Sequence, residues 1–82
     1  MNRAAAPVVT RETLAVFILR ALAKQDGPGE WEHFMVAHYA DQEMERARRE
    51  CVRLIAYQGN GNPKRLSPEE IEYLRTAAAA LT

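Results

Sequence analysis

Few side chains in this chain could do chemistry of their own: two histidines, one cysteine, eleven acidic residues and a run of arginines. Glu30 and His33 stand at Glu-x-x-His spacing, which places two metal ligands on one helical face, and His38 with Asp41 repeats the i, i+3 pair. A di-metal bundle draws such motifs from two helices. Here both histidines fall on one predicted helix, five residues apart and so about 140° apart around it, and they do not converge on one ion. No metal and no cofactor is expected.

Cys51 shares the stripe Ala40, Met44, Ala47, Cys51 and Leu54, whose alternating four- and three-residue steps mark a packing seam. With no histidine within a helical turn to act as base, it reads as a core residue rather than a nucleophile. The loop Gly59-Asn60-Gly61-Asn62-Pro63-Lys64-Arg65 offers glycine, lysine and amides but matches neither phosphate-loop pattern, and no strand precedes it. It punctuates a helix. No catalytic residue emerges, and an enzyme is not expected.

Arg46, Arg49 and Arg53 recur at i, i+3, i+7, with Tyr57 near the same face and Lys64 and Arg65 in the next loop. This stripe suits nucleic-acid phosphates or an acidic partner. As a helix-turn-helix the sequence fails, because the would-be recognition helix opens with Glu30 and Glu32, which repel DNA. Glu43 and Glu50 also sit among the arginines. Nucleic-acid binding is therefore the alternative, behind a protein-interaction role.

The elements that must position these groups are helical. Thr10 is an N-cap and Glu12 suits the first turn of helix 1, about 10–26, with Gly27 and Pro28 closing it. Residues 30–57 contain neither Gly nor Pro and are rich in strong helix formers, so the second helix is long, about 29–57. At 1.5 Å per residue it spans about 42 Å, which neither neighbour covers alone. Either it stays straight in an elongated molecule, or it bends near Asp41–Glu43 into a compact four-segment bundle. Leu66-Ser67-Pro68-Glu69-Glu70-Ile71 combines a serine cap, proline at the first helical position and a capping box, starting helix 3, about 67–81. The fold class is all-α, a small three-helix protein of short, long and short helices, with residues 1–8 as a flexible N-terminal arm before a single helical domain at 9–82.

Helix 1 is apolar on nearly every side: Leu14, Phe17, Ile18, Ala21 and Leu22 form one face, and Ala15, Val16, Leu19 and Ala23 extend it. Two other helices in so short a chain supply too little cover. The aromatic start of helix 2 adds to the excess. An exposed patch including Phe17, Leu19, Trp31, Phe34, Met35 and Tyr39 is expected, serving a homodimer or a protein partner. The competing reading makes helix 1 the central helix of a monomeric bundle.

The formal net charge is zero, but it is segregated. Residues 30–45 carry five acidic groups and no Lys or Arg, whereas residues 46–65 carry six basic groups and one acidic. This suits the macrodipole of helix 2. It would also suit a two-fold dimer that lays helix 2 antiparallel to its mate, acidic segment on basic segment.

One cysteine cannot form an internal disulfide, which favours a reducing compartment, so a cytoplasmic location is expected. Arg3 and Arg11 before Leu14–Leu19, then Ala21-Leu22-Ala23, imitate a signal peptide, but Glu12 and Arg20 interrupt it and the apolar run is too short. No stretch approaches the roughly 18 apolar residues of a spanning helix. Nine of the eleven basic residues are Arg and Ala is the commonest residue, a bias that accompanies GC-rich bacterial and phage genomes. The sum is a small adaptor, regulator or inhibitor that works by protein contact, with the partner, pathway and oligomeric number outside what the residues specify.

Overall fold

A computed structural model describes residues 9–82, so the expected arm at 1–8 lies outside the described residues. Four α-helices form among the described residues: α1 (Arg11–Leu22), α2 (Glu30–Val36), α3 (Gln42–Val52) and α4 (Pro68–Ala79). A π-helical segment, Arg53–Gln58, continues α3, and a 3-10 turn, Pro63–Arg65, precedes α4. The all-α class holds, but the expected count of three helices does not. Helix 2 is not one rod from 29 to 57; it is broken between Val36 and Gln42.

Side chains make that break. Ala37 turns extended, and Asp41 caps α3, its carboxylate accepting from the N–H groups of Glu43 (2.9 Å) and Met44 (3.1 Å). Glu45 Oε1 accepts from the Tyr39 N–H at 3.0 Å, and Arg48 Nη1 donates to the Met35 carbonyl at 2.9 Å. Carboxylate and guanidinium thus replace the backbone hydrogen bonds that an unbroken helix would have kept. An antiparallel dimer of straight second helices has no rod to form it.

Helix α1 ends at Leu22, short of the expected end near residue 26. Lys24 takes a left-handed conformation (φ 57°), its N–H donating to Ala21 O while the Gln25 N–H donates to Arg20 O at 2.7 Å. This is the usual glycine-closed helix end, built here with lysine. The α4 start is as expected: Ser67 accepts from the Glu70 N–H and Glu70 accepts from the Ser67 N–H. Between them, Gly59 is dictated by crowding, since a Cβ there would lie 2.6 Å from Asn62 O.

Leu14 and Ile18 of α1, Cys51 of α3 and Leu74 of α4 are the most deeply buried large side chains. They meet where α1 packs along α4 and α3 closes the third side. The result is elongated, 47 × 25 × 17 Å. Among the described residues no helix is long and apolar enough to cross a membrane.

Candidate functional site

The largely apolar concavity lies between α1 and α2, a groove of about 520 Å³. Leu14 and Phe17 form one wall, Phe34, His33 and Pro28 the other, and Val9 and Tyr39 complete the lining. Its back is an aromatic stack: the Phe17 and Phe34 rings lie 4.6 Å apart at 42°, and Trp31 packs on Phe34 at 5.4 Å and 37°. Such tilted pairs contribute about 0.5–1.5 kcal/mol beyond the area they bury.

Because α2 has seven residues and buries only Phe34 fully, apolar packing alone does not hold the groove's second wall. Two guanidinium–carboxylate contacts supply the rest. At the start of α2, Arg20 Nη2 lies 2.6 Å from Glu30 Oε1, which also accepts from the Gly27 N–H. The Gly27 bond first and the Arg20 bond second hold the Glu30 carboxyl below its ordinary value. Past its end, Arg48 grips Glu45 with both Nε and Nη2 while its Nη1 takes the Met35 carbonyl. Arg48 is 6% exposed, yet every buried side-chain donor and acceptor among the described residues has a partner. The Arg48 bonds are the chief reason that the Glu45 carboxyl falls to about 2. Arg11 ties α1 to the break by bonding Asp41 (Nε–Oδ2 2.9 Å) and Glu43 (2.5 Å).

The six apolar interface residues expected from sequence divide into three groups. Phe17, Phe34 and Tyr39 converge on the groove, Phe34 as a buried floor at 4% exposure. Trp31 faces the other side of α2, where it lines a smaller cavity of about 200 Å³ with Ala21, Ile55 and Pro63. Leu19 and Met35 are exposed, 46% and 37%, but lie outside the groove. Val9, Thr13, Pro28 and His33 join the groove without having been expected; only a packed α1–α2 pair brings these distant positions together.

A second, polar groove of about 570 Å³ lies between α3 and α4, lined by Gln42, Glu45, Arg46, Arg49, Glu50 and Tyr73. The arginine stripe is real: Arg46, Arg49 and Arg53 are all exposed. Arg53 is spent on Glu50 at 2.6 Å, whereas Arg46 and Arg49 have no ion-pair partner among the described residues. Lys64 and Arg65 are exposed in the 3-10 turn and do not line this groove.

Among the described residues no three His, Cys, Asp or Glu side chains gather closely enough to hold a metal ion. Glu30 and Asp41, the acidic members of the two spaced pairs, are engaged by Arg20 and Arg11 instead. Cys51 is fully buried, and desolvation pushes its thiol up to about 12, so the nucleophilic thiolate is suppressed. Compared with family models, curated proteins and solved structures, the chain has no match.

Proposed function

We propose that the protein is a small non-enzymatic interaction module, a cytoplasmic adaptor, regulator or inhibitor of bacterial or phage origin, whose α1–α2 groove receives bulky apolar side chains of a protein partner. The supporting observation is the groove itself: an open, mainly apolar cleft with an aromatic floor that the described residues leave uncovered. Aromatic side chains in a desolvated cleft are the usual anchors of protein interfaces. The bordering Arg20 and Glu30 are bonded to each other, so they brace the walls rather than stand ready to exchange protons with a substrate. Val16, Leu19, Met35 and Val36 add exposed apolar surface on the same two helices.

The test is affinity capture from the native host, comparing wild type with the Val9→Glu/His33→Glu double variant. Both residues line the groove and are exposed, so the fold should survive. A specific protein held by wild type and lost by the variant supports the reading. Equal retention, or no specific protein, contradicts it.

One observation favours the alternative of nucleic-acid binding, the two unpaired arginines Arg46 and Arg49. It would show as duplex or single-strand binding that falls steeply with salt. Against it, Glu45 and Glu50 line the same groove and would face a continuous polyanion.

A further inference from the structure

We infer that the α3–α4 groove is a second binding site, one that takes discrete carboxylates: an acidic peptide segment of a protein partner, held by the Arg46 and Arg49 guanidinium groups with Gln42 and Tyr73 beside them. This inference does not rest on the α1–α2 groove reading, and the failure of either leaves the other standing.

Spacing and ion pairing together make the site. Gln42, Arg46 and Arg49 follow one another at i, i+4, i+7 on α3, a single row along the helix, and all three are exposed and line the groove. Glu45 and Glu50 line it too, and left unclaimed they would neutralise the row. Both are committed elsewhere. Glu45 accepts from Arg48 Nε and Nη2 and from the Tyr39 N–H, and His38 Nδ1 lies 3.5 Å from its Oε2. Glu50 Oε1 accepts from Arg53 Nη2 at 2.6 Å and from the Tyr73 hydroxyl at 3.4 Å. Arg53 above all holds the Glu50 carboxyl below its ordinary value, with Tyr73 and Arg49 contributing less. Arg46 and Arg49 make no ion pair among the described residues, so their charges are the surplus that the groove presents.

The chemistry of that surplus selects the ligand. A guanidinium group offers parallel N–H donors that match the two oxygens of one carboxylate, a pairing that gives both strength and orientation. Tyr73, half-exposed on the α4 side of the groove, adds aromatic surface for the apolar stem of an acidic side chain. A nucleic-acid strand carries a phosphate at every nucleotide and would press negative charge on Glu45 and Glu50 as well as on the arginines. Separate carboxylates on a peptide can meet the two free arginines and leave the glutamates undisturbed.

Exposed ion pairs are weak and screened by salt, so the test uses low ionic strength and a residue-resolved signal. The labelled full chain is titrated with hexaglutamate at about 0.05 M salt and followed by NMR of the arginine Nε–H and glutamine amide signals. Hexaglutamate should shift Arg46, Arg49 and Gln42, the shifts should vanish at about 0.5 M salt, and hexaglutamine should shift none of them. Arg46→Gln/Arg49→Gln should weaken binding roughly tenfold or more. Arg46→Lys/Arg49→Lys should recover part of it, since the charge returns without the paired donors. Both positions are exposed and unpaired, so the helical circular dichroism should not change; if the glutamine chain does unfold, weaker binding by a folded lysine chain carries the test. Absence of shifts with hexaglutamate, shifts at Lys64 and Arg65 in place of the groove, or an affinity indifferent to the glutamine substitutions would overturn the proposal. So would an oligothymidylate of equal charge that moves the same signals at lower concentration.

Discussion

Helices α2 and α4 are built by opposite means. Helix α4 opens on a reciprocal capping box at Ser67 and Glu70, has proline at its first position and buries Leu74 and Ala78 in the core. Helix α2 follows Gly29 in a left-handed conformation, has no side-chain cap and buries Phe34 alone. One helix is specified by its own residues and paid for by apolar burial. The other is held by guanidinium groups reaching from α1 and α3, Arg20 on Glu30 and Arg48 on Glu45 and the Met35 carbonyl. The difference teaches where the molecule can vary its shape: α1, α3 and α4 form the scaffold, and α2 is a wall bolted to it beside the groove.

The largest expected effect strikes the scaffold. Leu74 is fully buried, and Leu74→Ala should cost about 3 kcal/mol through lost transfer energy and a residual cavity. The urea midpoint should drop, with all helices melting together. Separate melting of α4 would break the idea that it belongs to one cooperative unit with α1 and α3.

Arg48→Ala comes next, at roughly 2 kcal/mol, because it leaves the Met35 carbonyl without its donor and the Glu45 carboxylate with only the Tyr39 N–H. Its signature should be regional. Amide exchange at residues 30–40 should accelerate more than exchange in α4, and uniform acceleration would mean that α2 is not separately held.

The same contact has a pH signature. The folded Glu45 carboxyl sits at about 2, below its ordinary 4.5. A depressed carboxyl contributes stability that is fully present above 4.5 and is lost as pH falls through about 2. Stability should therefore decline across that window, and Glu45→Gln should flatten this part of the profile. An unchanged slope would show that Arg48 does not hold the carboxylate.

Smallest is the α4 cap. Ser67→Ala removes one side of the capping box and should lower stability by about 1 kcal/mol. An unchanged unfolding midpoint would mean that α4 draws little from its own start signal.

The contrast also explains what the residues disclosed in advance. The α4 start and the Thr10 cap of α1 were legible because each depends on neighbours three positions apart. The break in helix 2 was only half legible. Asp41, with Glu43 behind it, looks like a helix start, yet the absence of Gly and Pro from 30 to 57 spoke for continuity. What tipped the balance was Arg48 reaching 13 residues back to Met35, a contact that no local pattern encodes. The early end of α1 was hidden for a related reason, since Lys24 occupies the left-handed position that glycine usually marks.

The candidate groove shows the same limit. Excess apolar surface on helix 1 and the start of helix 2 raised the expectation of an exposed patch, because composition alone outran the cover expected from two short helices. Its shape did not follow from composition: Phe34 sinks to the floor, Trp31 turns to the far side of α2, and Val9, Pro28 and His33 enter from distant parts of the chain. The arginine stripe was legible as a stripe, by period. That Arg53 is spent on Glu50 while Arg46 and Arg49 stay free depends on side-chain placement.

The central claim, that the α1–α2 groove is the working face, is tested most directly by residue-resolved NMR of the isotopically labelled chain titrated with the protein it captures from its host. The account predicts shift changes concentrated at Val9, Thr13, Phe17, His33 and Tyr39, with α4 little affected. Changes confined to Arg46, Arg49 and Tyr73, with the groove signals unmoved, would contradict it.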